Sequence, residues 1–283
     1  MIQSHWRLLL SPFADGPTNM AVDEAILLAV AAKDAPPTLR FFGWTPPCLS
    51  LGYAQLAGEA DPGRLRRLGF DLVRRPTGGR AILHTDELTY SVTAPLAEPR
   101  VRGGVVESYR QLSAGLMRGL ELLGLNVRAD KEYPTPSPDT RRPTPAFGPV
   151  CFEAPSNYEI TVADADQQRK LLGSAQVRKR GVVLQHDTLP LTGDIARICD
   201  VLMFPSEAER RRVRARVHQR AATVAEVIGR EIPWEEAAAA MTRGFADALN
   251  LTLAPGALSP KELELAAKLR EEKYVTEAWN YRV

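Results

Sequence analysis

Residues 74–84, RRPTGGRAILH, place two adjacent glycines and three arginines between segments that predict β-strands. Paired glycines permit a positive φ and a close approach of the backbone to a ligand, and arginine side chains suit a carboxylate, phosphate or thioester oxygen. The segment therefore predicts an anion or acyl site. A Gly-Gly hairpin turn with solvated arginines explains the same letters, and the pattern alone leaves both interpretations open. The candidate residues are Arg74, Arg75, Thr77, Gly78, Gly79 and Arg80.

Helix and strand signals lie on both sides of this segment. The predicted helices cover residues 19–32, 61–69, 105–123, 205–218, 234–249 and 260–273. Thr18 or Asn19 is the predicted N-cap of the first helix, and Asp23 and Glu24 lie in its positively polarised first turns. The predicted strands cover residues 6–10, 39–44, 70–74, 88–93, 156–162, 170–177 and 181–191.

Six prolines between residues 134 and 149 exclude both a helix and a central strand, so this stretch predicts a loop or a linker. A meander of strands follows it, and the remainder of the chain is mostly helical. Because strands and helices are grouped and do not strictly alternate, the fold class is predicted to be α+β.

Cys151 follows the proline-rich stretch, at the junction of a loop and a strand. A thiol with a pKa near ~8.5 is mostly protonated at neutral pH, so a nucleophile needs a neighbouring cation or base. Lys170 and His186 are the downstream candidates. A turn near residue 166 would place Lys170 beside residue 162, so spacing alone does not bring this lysine to the thiol. A buried, inert cysteine explains Cys151 as well.

Two further features carry open alternatives. His84 follows Arg80 by four residues and either lines the same pocket or is satisfied by a backbone carbonyl. Within residues 170–176, KLLGSAQ, small residues interrupt a predicted strand, which indicates the close approach of a ligand or a tight crossing of strands. The small residues in question are Gly173, Ser174 and Ala175.

Composition restricts the class of protein. The 283 residues are 45% hydrophobic and carry a net charge of +2, so overall charge indicates no polyanionic partner. The longest apolar run, residues 25–32, is too short for a membrane span, and no signal peptide is recognisable, so a cytoplasmic protein without a membrane partner is expected. Three scattered cysteines and four scattered histidines predict neither a disulfide framework nor a metal site.

The most basic run lies between Arg210 and Arg220. Helical spacing spreads its arginines around the surface, and no aromatic residues interleave for base stacking. A solvated helix is therefore favoured over a nucleic-acid site, although the run could attract an acidic protein partner.

Several segments together resemble the lipoate-protein ligase and octanoyltransferase family, whose fold is shared with biotin protein ligases. The matching segments are NMAVDEA (19–25), RRPTGGRAILH (74–84), ELTYS (87–91) and KLLGSAQ (170–176). The segment CFEAPSNYE (151–159) is similar to the cysteine-dependent, LipM-type octanoyltransferases. So are LQH (184–186) and the closing pairs Lys273-Tyr274 and Trp279-Asn280. The pattern departs from the family at Asp187-Thr188, where Gly-Ser often follows the QH pair.

The resemblance implies a mainly antiparallel sheet flanked by helices, with a catalytic domain over residues 1–230. A helical C-terminal extension over residues 231–283 would pack on the same core. It also implies an acyl transfer in two steps. Octanoyl-acyl carrier protein would acylate Cys151, and a lysine of the glycine cleavage H protein or another lipoyl domain would then receive the chain. In this scheme Lys170 lowers the pKa of the thiol, and residues 74–80 shape the acyl pocket.

Exchange of one thioester for another is nearly isoenergetic, so the implied reaction needs neither ATP nor another cofactor, and a monomer is expected to perform it. Backbone N–H groups of the paired glycines and Arg80 are the hypothetical stabilisers of the thioester oxyanion. An ATP-dependent lipoate-protein ligase is one alternative, and it would need no cysteine nucleophile. Octanoyl transfer between lipoyl domains is another, although the segment DELTY (86–90) favours the carrier-dependent form.

Overall fold

The computed structural model describes residues 2–129, 150, 159–164 and 167–283. The strands are β1 (Ser4–Leu10), β2 (Thr38–Phe42), β3 (Cys48–Leu51), β4 (Asp71–Arg74), β5 (Ile82–His84), β6 (Glu87–Pro95), β7 (Val127–Ala129), β8 (Ile160–Asp164), β9 (Gln167–Leu172), β10 (Ala175–Lys179), β11 (Val182–Pro190) and β12 (Leu251–Pro255). The helices are α1 (Gly16–Ala31), α2 (Pro62–Leu68), α3 (Val105–Leu122), α4 (Glu207–Arg220), α5 (Val224–Ile228), α6 (Trp234–Leu249), α7 (Pro260–Leu269) and α8 (Glu277–Asn280).

A six-stranded sheet with the order β10-β11-β6-β2-β1-β12 forms the centre of the molecule. The pairs β12-β1 and β1-β2 are parallel, whereas β2-β6, β6-β11 and β11-β10 are antiparallel. Two three-stranded sheets, β4-β3-β5 and β7-β8-β9, complete the architecture. The predicted α+β class with a mainly antiparallel sheet flanked by helices is confirmed.

The first helix begins earlier than the sequence pattern predicted. The side chain of Asp15 accepts a hydrogen bond from the Thr18 backbone N–H at 2.7 Å, so Asp15 is the N-cap, and Pro17 occupies the first turn. Thr18 and Asn19 therefore lie inside α1. The carboxyl group of Asp23 is fully buried. It is therefore not the surface charge at the first turn of the helix that the sequence suggested.

The predicted strand over residues 170–177 is two strands. β9 ends at Leu172 in a three-stranded sheet and β10 begins at Ala175 in the main sheet, so the chain changes sheets at Gly173 and Ser174. The predicted register was also wrong by one residue, because Lys170 lies opposite Thr161. The tight crossing of strands that the small residues suggested is thus present.

Three short strands, β3, β7 and β12, were absent from the sequence prediction. β12 pairs in parallel with β1, and α6 packs along α3 over the largest hydrophobic cluster, which contains Phe245 and Tyr90. α7 packs against α1. The expected helical C-terminal segment is therefore present, with α6 on the largest hydrophobic cluster and α7 on α1. The domain boundary at residue 230 stays a prediction.

Among the described residues, none of the helices is both long enough and apolar enough to cross a membrane.

Candidate functional site

The paired-glycine loop connects β4 to β5 and lies directly on another backbone. Gly79 has a φ of 94°, in the region that favours glycine. A Cβ at Gly52 would lie 1.9 Å from the carbonyl oxygen of Gly79, so only glycine permits this approach. The Tyr53 N–H donates to the Thr77 carbonyl at 2.8 Å and fixes the first half of the loop. The two glycines thus serve backbone packing as well as any ligand.

The three arginines of this loop have different roles. Arg74 is fully buried and donates to the carbonyl oxygens of Gly52 and Gln55 at 2.7 Å and of Asn280 at 2.8 Å. Its guanidinium is therefore structural, and the expectation that it binds an anion finds no support in these contacts.

Arg75 holds the shape of the loop, whereas Arg80 is directed elsewhere. The Arg75 guanidinium donates to the carbonyl oxygens of Ser50, Gly78 and Arg80 at 2.7–3.1 Å. Arg80 is half-buried, and within the described part of the chain its side chain forms no ion pair. Of the three arginines, Arg80 is the one whose charge can meet an anionic group of a ligand. The N–H groups of residues 78–80 donate to no backbone carbonyl of the described residues, which agrees with the oxyanion hypothesis.

His84 ends β5 and is held by side chains, not by the backbone carbonyl considered as an alternative. Its Nδ1 lies 2.5 Å from Glu87 Oε1, its Nε2 lies 2.8 Å from Ser50 Oγ, and its ring stacks on Trp44 with 3.9 Å between centroids. His84 also lines a small cavity of about 20 Å³ together with Arg75 and His186. That His84 lines a substrate pocket with Arg80 stays a prediction.

His186 joins the paired-glycine loop to α1. Its Nε2 lies 2.7 Å from the Thr77 hydroxyl and its Nδ1 lies 3.2 Å from Asp23 Oδ2. Because a carboxylate only accepts, Nδ1 carries the proton and Nε2 accepts from Thr77. Burial lowers the pKa of His186, despite the neighbouring Asp23, so the ring is neutral at neutral pH and is not the cation that a thiolate requires.

A buried ion pair supports this histidine. Arg40 Nη1 donates to Asp23 Oδ1 at 2.8 Å, and both side chains are at most 2% exposed. Burial has the largest single effect and raises the pKa of Asp23, but the charges and hydrogen bonds of Arg40 and His186 together outweigh it and hold that pKa below its ordinary value. The carboxylate therefore stays ionised and keeps His186 in one tautomer. Sequence reasoning missed this role of Asp23.

Lys170 lies near the end of β9 with its ammonium group buried. Its Nζ donates to Glu159 Oε1 at 2.8 Å, and its backbone carbonyl accepts from the Ala222 N–H at 3.0 Å. A Cβ at Gly173 would lie 2.9 Å from Lys170 Nζ, so the absence of a side chain at Gly173 leaves room for the ammonium group. The predicted cation is thus present, but its partner Glu159 was not foreseen.

The remaining small residues shape the crossing between the sheets. The Ser174 hydroxyl lies 2.9 Å from the Tyr90 hydroxyl, and the Gln185 amide donates to the same Tyr90 oxygen at 3.0 Å. Ala175 lines the small cavity beside His186. Ser174 is therefore a structural bridge to the main sheet, whereas Ala175 faces the candidate pocket.

Asp187 is a site residue that the sequence argument did not include. It is 7% exposed, and its Oδ2 has no hydrogen-bond partner among the described residues. Burial raises the pKa of Asp187 to about 7, although the Lys170 charge acts in the opposite direction. In the family, Gly-Ser often follows the QH pair, whereas this chain has Asp187-Thr188 there. That difference was the sequence signal that could have identified Asp187.

A larger cavity of about 420 Å³ lies beside Gly78 of the paired-glycine loop. Leu27, Val177 and Leu184 give it an apolar wall, and Lys273 lies on its lining. This cavity and the small one thus flank the same loop. No group of three or more His, Cys, Asp or Glu side chains in the described ranges could hold a metal ion.

Cys151, the predicted nucleophile, lies outside the described residues. Val150, which precedes it in the sequence, is fully buried and pairs in parallel with Ala81, immediately after the paired-glycine loop. The two described cysteines, Cys48 and Cys199, are completely buried. Burial raises the pKa of Cys48 well above its ordinary value, so this thiol is unsuited to nucleophilic attack.

Comparison with known proteins identifies relatives over the full length of the chain. The octanoyltransferase LipM of Symbiobacterium thermophilum is 42% identical over 285 residues, which cover 99% of this chain and 100% of the relative. The octanoyltransferase LipM of Bacillus subtilis is 38% identical and is covered completely, as is this chain.

Solved structures agree with these sequence relatives. A lipoate-protein ligase A bound with ATP superposes with a TM-score of 0.77 at 26% identity, covering 98% of this chain and 99% of that one. The fold is also that of a bipartite lipoate protein ligase from Thermoplasma acidophilum, with a TM-score of 0.79, 24% identity and coverage of 98% and 96%. The model of the lipoyl protein ligase A/B catalytic domain matches residues 15–246. The chain therefore belongs to the lipoyl protein ligase A/B catalytic domain family.

Proposed function

We propose that this chain moves an octanoyl group from octanoyl-acyl carrier protein, through a thioester on Cys151, to a lysine of a lipoyl domain such as the glycine cleavage H protein. The chain is an octanoyltransferase of lipoate biosynthesis, since its relatives of that activity are 38–43% identical over their full length. The donor, the acceptor and the thioester are the proposed part.

The observation that carries the proposal is the pairing of Val150 with Ala81. It brings the chain, one residue before Cys151, to the end of the paired-glycine loop. That loop holds N–H groups and the Arg80 guanidinium, which are the groups that a thioester oxyanion needs. On this basis residues 78–80 stabilise the oxyanion, and Arg75 and Thr77 hold the loop in shape.

Lys170 supplies the cation in this proposal. A buried ammonium group favours an adjacent thiolate because the low polarity around it strengthens the attraction. Cys151 would attack the thioester carbonyl of the carrier, and the pantetheine thiol would leave. The acyl group would then be bound to the enzyme as a Cys151 thioester. Attack by the acceptor lysine then forms an amide, which is downhill, so the enzyme's task is to position two proteins in turn and to exclude water.

An ATP-dependent ligase is the second candidate function. The likeness to a lipoate-protein ligase A bound with ATP, at 26% identity, favours it. A ligase activates its acid as an adenylate and is indifferent to the loss of Cys151, whereas the proposed transfer needs the thiol and no nucleotide. Octanoyl transfer between lipoyl domains shares the thioester and differs only in the donor.

The decisive experiment is incubation with octanoyl-acyl carrier protein in the absence of ATP, followed by intact-mass analysis. We expect one octanoyl adduct that hydroxylamine removes and that peptide mapping assigns to Cys151. Cys151→Ser is expected to lose turnover with an unchanged unfolding temperature. Undiminished octanoylation of a lipoyl domain by this variant would reject the thioester mechanism.

Two controls separate the alternatives. Cys199→Ser should still form the adduct, because that thiol is completely buried. Replacement of the carrier by octanoate with ATP tests the ligase, and replacement by an octanoylated H protein tests transfer between lipoyl domains. Product that appears only with ATP would favour the ligase over the transferase.

A further inference from the structure

A buried carboxylate lies beside the cation of the candidate site, and one of its oxygens has no hydrogen-bond partner among the described residues. Asp187 lies on β11 opposite Tyr90, and its Oδ2 has no hydrogen-bond partner in the described part of the chain. A Cβ at Gly173 would lie 3.3 Å from this oxygen and 2.9 Å from Lys170 Nζ. Both atoms therefore face the space that Gly173 leaves open.

The surroundings of Asp187 hold the pKa of its carboxyl group at about 7. Burial has the largest effect and raises its pKa to about 7, while the charges of Lys170 and Arg75 lower it and that of Glu87 raises it. Tyr90 from β6 faces it too, and burial raises the pKa of that phenol, with a further contribution from Asp187. A carboxylate so placed is half ionised at neutral pH, the condition in which a general base is most effective.

The proposed second step requires a base that removes a proton from the acceptor lysine. An acceptor lysine has a pKa near ~10.4 and arrives as an ammonium ion, which cannot attack a thioester. Lys170 is itself a cation and cannot take this proton, and His186 is held by Asp23 and Thr77. Among the described carboxylates, Asp187 is the one with a buried oxygen that has no hydrogen-bond partner.

We propose that Asp187 is a catalytic residue of this enzyme, the general base that deprotonates the incoming acceptor lysine. This inference rests on the proposed function. The ammonium gives one proton to the Asp187 carboxylate, and the resulting amine forms a C–N bond to the octanoyl carbonyl. The C–S bond to Cys151 then breaks, and the nitrogen's second proton goes to the departing sulfur. Asp187 finally releases its proton to solvent, so charge and atoms balance.

The test measures the two half-reactions separately. Octanoyl-enzyme is formed from the carrier, isolated and mixed with lipoyl domain in single turnover between pH 5.5 and 9.5. We expect the wild-type transfer rate to rise through an inflection near the pKa of about 7 and then level off. Asp187→Asn should transfer ~10²-fold more slowly at neutral pH and lose the inflection, while it forms octanoyl-enzyme at a rate within a few-fold of wild type.

Thr188→Val is the matched control, because the Thr188 hydroxyl on the same strand is also buried and without a partner among the described residues. It should leave both half-reactions unchanged. If the Asn variant does not fold, Asp187→Gly replaces it with the same expectation. Transfer by either folded variant at the wild-type rate, or with the wild-type inflection, would overturn the inference. Failure of the wild type to form octanoyl-enzyme would instead reject the proposed function.

Discussion

The pairing of Lys170 with Glu159 changes how the cation of the site acts. Both side chains are less than 9% exposed, and the Lys170 Nζ to Glu159 Oε1 distance is 2.8 Å. The carboxylate offsets part of the positive potential that Lys170 would exert on a nearby thiol. In the proposed mechanism Glu159 would limit how far the pKa of Cys151 falls, and Lys170 and Glu159 would act on that pKa in opposite directions.

We expect two substitutions to move the pKa of Cys151 in opposite directions. Lys170→Gln removes the cation and should raise the thiol pKa by about one unit or more, whereas Glu159→Gln removes the opposing charge and should lower it. The measurement is the rate of iodoacetamide alkylation against pH, read by intact mass. Lys261→Gln removes an exposed lysine that pairs with Asp34 and should leave the profile unchanged.

An alkylation profile that does not respond to Lys170→Gln would assign this lysine to positioning the substrate. A shift of the same sign in both variants would show that altered packing, not charge, is being measured. Assignment of the alkylated thiol to Cys48 or Cys199 is not expected, because both are completely buried.

The sequence offered Lys170 and His186 as candidates but did not show the groups that set their protonation states. Glu159, Asp23 and Asp187 are charged residues that the pattern placed on a strand, a helix and a strand without distinguishing them from solvated ones. Their function depends on burial and on partners distant in the sequence, such as Asp23 beside His186. These are tertiary properties, so local spacing carries little information about them.

At the scale of the element, the paired-glycine loop shows that adjacent glycines are not equivalent. Gly79 has a φ of 94°, and a Cβ on it would lie 2.8 Å from Arg75 Nη2. Gly78 has no such φ, and nothing lies within 4 Å of a Cβ built there. Only Gly79 therefore requires glycine for conformational reasons.

We expect Gly79→Ala to lower the free energy of unfolding by about 1–2 kcal/mol, since an ordinary residue is strained at this φ. It should also slow octanoyl-enzyme formation, because the displaced Arg75 guanidinium no longer holds the carbonyls of Gly78 and Arg80. Gly78→Ala is the matched control for stability and should change it by less than about 1 kcal/mol. Urea denaturation of both variants provides the comparison, and equal losses would contradict the assignment of strain to Gly79.

Element positions were predicted well where periodicity was long and poorly where it was short. The amphipathic pattern over residues 105–123 matches α3, which ends at Leu122. The missed strands β3, β7 and β12 have only three to five residues each, too few for an alternating pattern to stand out. The predicted strand over 170–177 failed because β-propensity is similar on both sides of Gly173, and only the strand pairing shows that the chain changes sheets there.

At the scale of the whole molecule, the C-terminal segment contacts the start of the paired-glycine loop. Asn280 accepts from the Arg74 N–H at 2.8 Å across 206 positions of sequence, and its carbonyl accepts from the Arg74 guanidinium. Arg74 also donates a hydrogen bond to the Gly52 carbonyl, and the Gly79 carbonyl of the paired-glycine loop packs directly on Gly52. The C-terminal segment therefore fixes the site, although it contributes none of the predicted catalytic groups.

We therefore expect Asn280→Ala to weaken both the fold and the site. It leaves the Arg74 N–H and the Tyr274 carbonyl buried without partners, since the Asn280 amide donates to that carbonyl at 2.9 Å. The free energy of unfolding should fall by about 2–6 kcal/mol, as each of the two unsatisfied groups costs roughly 1–3 kcal/mol. Tyr281→Ala, at a neighbouring exposed side chain, should cost less than about 0.5 kcal/mol. Urea denaturation measures both, and a loss for Asn280→Ala no larger than for Tyr281→Ala would show that the C-terminal segment does not support the loop.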